Sequence, residues 1–258
     1  MSIAVITLSK EGARLAERLR STLPDCSVFV QEAVEIQVTA ERFRSVRELT
    51  ESVFDRFRGI VYIAPCGVAV RSVAPHLKGK TRDPAVVVVD VGARWAVSLL
   101  SGHEGGANDL AVTVSNILFS EPVISTSTEA LKTLIVGIGC RRGTESGRIV
   151  AAVQAALASA DLNLSEVRLL SSAEVKADEE GLSEAARELG IPLKIVSSEE
   201  IRNCALDFQR SDFVDRQVNV PAVAEPGALL AGRRTRLLVR KKAYDGVTVA
   251  VARESSLL

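Results

Sequence analysis

The sequence predicts an α/β protein: two α/β domains with mainly parallel sheets and a cleft between them. Three observations point there. Short apolar runs alternate with segments whose apolar residues recur at helical spacing, in both halves of the chain. One polar, unpatterned stretch, STSTEALK (125–132), interrupts the alternation, and a new strand pattern starts at Thr133. The 258 residues are 47% hydrophobic and 25% charged, which is enough apolar material for real cores at a length that suits one large or two modest domains. The boundaries read as 1–126 for an N-terminal domain, 127–133 for a linker and 134–258 for a C-terminal domain.

In the N-terminal half, IAVITLS (3–9) reads as a buried strand and KEGARLAERLRSTL (10–23) as an amphipathic helix. CSVFVQ (26–31) is a strand, VRELTESVFDRF (46–57) a helix, and GIVYIA (59–64) a strand stopped by Pro65. GVAVRSVAPHL (67–77) supplies a helical turn or two. AVVVVD (85–90) and RWAVSLLS (94–101) are strands joined by the hairpin-length VGA (91–93). GGANDLAVTVSNIL (105–118) is a helix entered through small residues, and PVIST (122–126) closes the half. In the C-terminal half the strands are TLIVGIG (133–139), VRLLSS (167–172) and PLKIVS (192–197). The helices between and after them are TESGRIVAAVQAALASA (144–160), DEEGLSEAARELG (178–190) and SEEIRNCA (198–205). EPGALLAG (225–232) is a short helix with Pro226 in its first turn, and RTRLLVRK (234–241) pairs with DGVTVAVAR (245–253) as a terminal hairpin.

Composition excludes several functions. Formal net charge is zero, so the broad basic excess of a nucleic-acid binder is missing, and aromatic residues at 4% leave little for base stacking. No apolar run approaches the roughly 18 residues that a membrane span needs, and the N-terminus lacks a signal-peptide pattern. Cys26, Cys66, Cys140 and Cys204 form no CxxC pair and read as reduced thiols of a cytoplasmic protein. With two histidines in all, no protein-bound metal is expected.

Three strand-to-helix turns share one design, an apolar strand followed by a glycine turn with polar residues. They are GIVYIAPCGVAVRSVAP (59–75), LLSGHEGGANDLA (99–111) and LIVGIGCRRGTESGRIV (134–150). Ligands of open α/β sheets bind beyond the C-terminal ends of strands, and helix N-termini there suit anions. In the second turn His103 reads as a general base, neutral near a helix N-terminus, with Glu104 as its partner or proton donor. Ser101, Gly102, Gly105 and Gly106 shape this turn, and Asn108 is placed to orient a substrate. A purely structural turn, capped by His103, accounts for the same residues. In the third turn, Gly137 and Gly139 fit two Rossmann glycines but Arg142 stands at the third position, so no dinucleotide fingerprint is present. Gly139 would let a ligand approach, Arg141 and Arg142 present forked cations to carboxylates, and Thr144 would cap the helix. Cys140 is either an acidified nucleophile or, more simply, a small buried residue. Gly67 and Arg71 represent the first turn, and with Ser101, Gly102, Gly105, Gly106, Asn108, Gly139, Cys140, Arg141, Arg142 and Thr144 they form the expected substrate-binding set. The basic stretch RSVAPHLKGKTRDP (71–84) is either a solvated loop or a grip on an acidic ligand, and Asp90 is either a cleft residue or the acid of a hairpin turn.

Together, PCGVAVRSVAPHLKGKTRDPAVVVVD, SLLSGHEGGANDLA and GIGCRRGT resemble the cobalt-precorrin-5A hydrolase (CbiG) family of cobalamin biosynthesis, and VNVPAVAEPGALLAG and YDGVTVAVAR look like its C-terminal signature. The resemblance covers most of the chain and is weakest before about residue 45. Two departures stand out. The middle domain usual in the family is missing between the halves, and Asn219 and Pro221 replace glycine and another small residue. The C-terminal half alone also resembles a small protein of the aerobic cobalamin route. The resemblance implies a hydrolase that opens the ring A δ-lactone of a cobalt tetrapyrrole and releases its C-20 unit as acetaldehyde. No cofactor is implied beyond the cobalt that the substrate itself carries. The partners implied are that tetrapyrrole, with its acetate and propionate side chains, and transiently the neighbouring pathway enzymes. Arg71, Arg141 and Arg142 would bind its carboxylates, and Glu225 in the tail signature joins the substrate-binding set. The turns at 65–71 and 101–108 are expected to form one wall of the site and the turn at 137–144 the other. A non-catalytic tetrapyrrole carrier fits the same residues.

Overall fold

A computed structural model describes residues 2–206, 208 and 222–255. The chain divides into two compact units, Met1–Thr126 and Ser127–Leu258. Asn219 and Pro221 lie outside the described residues.

Unit 1 holds strands β1 (Ile3–Thr7), β2 (Cys26–Gln31), β3 (Glu41–Phe43), β4 (Gly59–Ile63), β5 (Ala85–Val89), β6 (Trp95–Leu100) and β7 (Glu121–Val123), in the spatial order β3-β2-β1-β4-β5-β6-β7. The first five run parallel, β6 opposes β5, and β7 runs with β6. Every residue of β1, β4 and β5 is buried, because helices cover both faces. The period of two divides them: Val5, Val61 and Val87 pack with α1 (Lys10–Arg20) and α4 (Ala107–Leu118). Ile6, Ile60 and Val86 pack with α2 (Val46–Phe54) and α3 (Cys66–Val73). The Tyr62 hydroxyl reaches Thr50 Oγ1 at 2.8 Å on that second face, and burial pushes its pKa up to about 12. β3 escapes a sequence reading because three residues, two of them charged, show no alternation.

The hairpin between β5 and β6 forms as the spacing predicts. It is closed by Asp90, whose carboxylate accepts the N–H groups of Gly92 at 3.1 Å and of Arg94 and Trp95 at 2.8 Å. Ala93 takes a left-handed φ of 53° in the turn. The consequence reaches further than the turn. Ile63 lies beside Val89 and Val89 beside Ala96, whereas Leu100 lies beside Val86. The turns at 65–71 and 101–108 therefore leave opposite ends of the sheet, roughly 15 Å apart for five-residue strands. The expectation that they share one wall fails, because β6 runs against β4.

Unit 2 begins with a short helix, α5 (Ser127–Ala130), inside the stretch expected as linker. Its sheet has the order β10-β9-β8-β12-β11, built from β8 (Leu134–Gly139), β9 (Val167–Ala173), β10 (Leu193–Val196), β11 (Thr235–Tyr244) and β12 (Val247–Glu254). β8, β9 and β10 are parallel, and the hairpin of β11 and β12 adds antiparallel strands beside β8. α6 (Ser146–Ala158) and α7 (Glu180–Leu189) pack on one face with Val136, Ile138 and Leu170. α9 (Ala224–Leu230) covers the other face beside Ala250 and Ala252, and α8 (Ser198–Asn203) packs there through Ile201 with Val196 and Val223.

α9 lies almost on the backbone of β8. A Cβ on Gly137 would collide with the carbonyl oxygen of Ala224 and stand 2.7 Å from the Ala228 nitrogen. Gly137 is thus a packing glycine. Gly137→Ala should lower the stability of the chain by at least about 2 kcal/mol in urea denaturation, since backbone must move to admit one methyl.

Candidate functional site

The turn after β6 is held from within. Ser101 adopts a left-handed φ of 58°, a conformation that costs a non-glycine residue about 1–3 kcal/mol and persists only where the surroundings impose it. Its carbonyl accepts N–H groups from Gly105 and Ala107, both at 3.1 Å, and the Gly102 carbonyl accepts from Asn108 at 3.0 Å. Asn108 is 5% exposed, and both ends of its amide are used. Oδ1 accepts from Ser98 Oγ at 2.8 Å and Nδ2 donates to Thr126 Oγ1 at 3.1 Å. It therefore pins the turn to β6 and to the segment after β7 and is not available to orient a ligand, contrary to expectation. Two of the turn's glycines serve the same compaction. A Cβ on Gly102 would stand 2.7 Å from Thr126 Cγ2, and one on Gly105 would meet Ser101 and stand 3.3 Å from the Asp83 carbonyl. Gly106, with φ 85°, faces open space.

On this pinned frame His103 and Glu104 are exposed. The Glu104 carboxylate accepts from Lys80 Nζ at 2.7 Å, and this hydrogen bond holds its carboxyl below the usual range, with lesser help from the charge on His103. A lowered carboxyl is a poorer proton donor, which favours the partner's role over the donor's for Glu104. Lys80 belongs to a loop folded around Asp83, whose carboxylate accepts the N–H groups of Lys78 at 2.8 Å and Gly79 at 3.2 Å. The structure so joins the 101–106 turn to the 78–83 loop, in the place where the 65–71 turn was expected. Lys78 is paired with Asp55 at 2.6 Å, while Lys80 and Arg82 are exposed.

The opposite end of the sheet carries Gly67 and Arg71. α1 and α3 leave the neighbouring strands β1 and β4 toward opposite faces, which makes this the topological switch point of unit 1. Ser9 caps α1 by accepting from Gly12 at 3.0 Å, and Arg71 folds back to donate to the Gly67 carbonyl at 2.9 Å. Sequence does not say which strand lies beside β4, so the pairing of β1 with β4 that sets this end of the sheet was not legible in it.

In unit 2 the turn after β8 differs from expectation at two points. Gly139 is hidden, since a Cβ there would lie 2.5 Å from Thr248 Oγ1, which donates to the Gly139 carbonyl at 3.0 Å. Thr144 donates to the Arg141 carbonyl at 2.7 Å instead of capping α6. Burial pushes the Cys140 thiol up, which fits the simpler of its two readings, a small buried residue. Arg141 and Arg142 are exposed. Arg142 lies 3.5 Å from Asp178 and 3.8 Å from Glu179, whereas Arg141 makes no ion pair among the described residues. Lys176, Asp178 and Glu179, in VKADEEG, escape the sequence reading because a charged run before a helix looks like solvated surface. Glu225 is fully buried. Its carboxylate accepts from the backbone N–H of Lys241 at 2.9 Å and so supports the irregular stretch of β11, a structural duty that leaves it out of solvent's reach.

Among the described residues no group of three or more His, Cys, Asp or Glu side chains is arranged to hold a metal ion, and no helix is long and apolar enough to cross a membrane. Asn108→Ala should cost about 1–3 kcal/mol in chemical denaturation, because the half-buried hydroxyls of Ser98 and Thr126 each lose a partner. Titration of the Glu104 carboxyl, followed by carbon NMR, should show its midpoint rising toward the ordinary value in Lys80→Met. The Lys80 link is present above the ordinary carboxylate range and lost as pH falls through the lowered value.

Two family models divide the chain. The one described as Cobalamin synthesis G N-terminal matches residues 48–129, and the one described as Cobalamin synthesis G C-terminus matches residues 134–252. Proteins named cobalt-precorrin-5A hydrolase from Priestia megaterium and Salmonella typhimurium are 26% and 24% identical to the chain. The first alignment covers 96% of this chain and 94% of the relative, the second 97% of each. The former runs over 353 positions against a chain of 258 residues, so that relative carries insertions. A solved structure of CobE, a protein from the cobalamin (vitamin B12) biosynthetic pathway, is 30% identical over 48% of this chain and 91% of its own, with a TM-score of 0.42. With both models matched in order along its two units, the chain belongs to the CbiG family of cobalamin biosynthesis.

Proposed function

We propose that this chain hydrolyses cobalt-precorrin-5A, opening the ring A δ-lactone and releasing the C-20 unit as acetaldehyde to leave cobalt-precorrin-5B. The names of relatives aligned over nearly the whole chain support the substrate class. The observation that carries the chemistry is the 101–106 turn, an exposed imidazole beside a carboxylate kept ionised by Lys80, on a backbone pinned by Asn108.

Lactone opening needs a base for water and positive charge near the developing oxyanion. His103 takes the water proton, and Glu104 orients the ring and stabilises its cationic form. The acyl–oxygen bond breaks, leaving the ring A acetate as a free carboxylate and a hydroxyl on the two-carbon unit. Removal of that hydroxyl proton lets the C–C bond to C-20 break, forming the acetaldehyde carbonyl. The electron pair passes into the conjugated macrocycle and is quenched by a proton. Water is consumed, oxidation states balance overall, and no organic cofactor is needed. The cobalt ion is part of the substrate. Peripheral carboxylates suit Arg82 in the loop beside this turn, and Arg71, at the far end of its sheet from His103, drops out of the grip.

The test is anaerobic incubation with cobalt-precorrin-5A while acetaldehyde is trapped. The wild-type chain should release one acetaldehyde per macrocycle, and His103→Ala should slow release by about 100-fold or more. A normal rate in that variant removes His103 from the mechanism. Tight binding of the macrocycle by wild type with no acetaldehyde identifies a carrier instead.

A further inference from the structure

One buried carboxylate is unused by this chemistry. Glu179, at the start of α7, is 6% exposed, and its Oε2 accepts the N–H of Gly143 at 3.0 Å. Oε1 lies 3.2 Å from Lys176 Nζ and 3.8 Å from Arg142 Nε. The Lys176 side chain is only 12% exposed. An ion pair this buried adds little stability, since desolvation offsets most of its attraction. What it does offer is geometry. Gly143 has a left-handed φ of 72°, the Thr144 hydroxyl ties the Arg141 carbonyl, and a Cβ on Gly181 of α7 would collide with the Thr144 carbonyl oxygen. One carboxylate thus gathers a backbone N–H and two cations under the turn that carries Arg141, which makes no ion pair among the described residues.

We propose that Glu179 is a positioning residue. It presets the 141–144 turn so that Arg141 meets a carboxylate of a polyanionic macrocycle without reorganising, while Lys176 balances the buried charge. This rests on the hydrolase reading for the identity of the ligand, but not for the positioning itself.

The decisive variant is Lys176→Met with Glu179→Leu, which removes both charges and keeps apolar volume. It should retain the thermal midpoint and a kcat within about twofold of wild type, raise KM at least about tenfold, and speed hydrogen exchange of the Gly143 amide at least about tenfold. Adding Arg141→Ala should then change KM by less than about twofold, because the two act on one contact. Unchanged KM and unchanged Gly143 exchange overturn the proposal, as does a fully additive Arg141 effect. If the double variant does not fold, Lys176→Met with Glu179→Ala, which also removes the acceptor of the Gly143 N–H, is read by the same criteria. If wild type releases no acetaldehyde, the hydrolase reading fails. Gly143 exchange and Arg141-dependent binding of uroporphyrin III, an octacarboxylate, then decide the positioning.

Discussion

The hydrogen bonds of Asp90 decide where chemistry can occur in unit 1. Three backbone N–H groups converge on one carboxylate, and the chain reverses between β5 and β6. Without that reversal β6 would finish at the same end of the sheet as β4, and His103 would lie at the end that carries Gly67. With it, the turn after β6 is carried to the other end of the sheet, beside the basic loop of residues 78–83. The same short-range signal that marks a hairpin therefore relocates a candidate catalytic residue by the length of a strand.

Rigidity in this molecule is concentrated under its most exposed functional groups. Asn108 uses both ends of its amide on the protein, and Glu179 uses both oxygens of its carboxylate under the turn after β8. The side chains above them, His103 and Arg141, are exposed, and Arg141 makes no ion pair among the described residues. That division suits groups that must meet a ligand. Donors that are already in place lose no freedom when the ligand arrives, so more of the interaction energy remains for the transition state. The glycines follow the same economy. Gly102, Gly105, Gly137 and Gly139 admit neighbouring protein atoms, while Gly106 and Gly143 have open space before them and supply left-handed backbone.

Much of this was legible without coordinates. Alternation of apolar runs with helical periodicity, the punctuation at Pro65 and Gly246, and the polar interval near residue 126 reflect local preferences, and the elements formed within a few residues of the expected bounds. The acidic residue of the hairpin was legible as a choice between two roles. The expected shared wall was not, since neighbouring turns in sequence carry no record of strand direction. Nor were the roles of Asn108, Glu179 and Glu225, because a polar side chain near a glycine turn reads the same whether it faces a ligand or the protein's own backbone.

The sequence by itself determined the α/β class, the two-part organisation and the family. These follow from periodicity, composition and motif, which are properties of a chain read in order. Only the tertiary structure decided which polar groups remain free to act. Burial and hydrogen bonding are settled by atoms distant in sequence: Thr126 for Asn108, Lys80 for Glu104, Lys241 for Glu225 and Glu179 for Gly143. A donor can satisfy a substrate or its own fold, and the partner that claims it is chosen by packing.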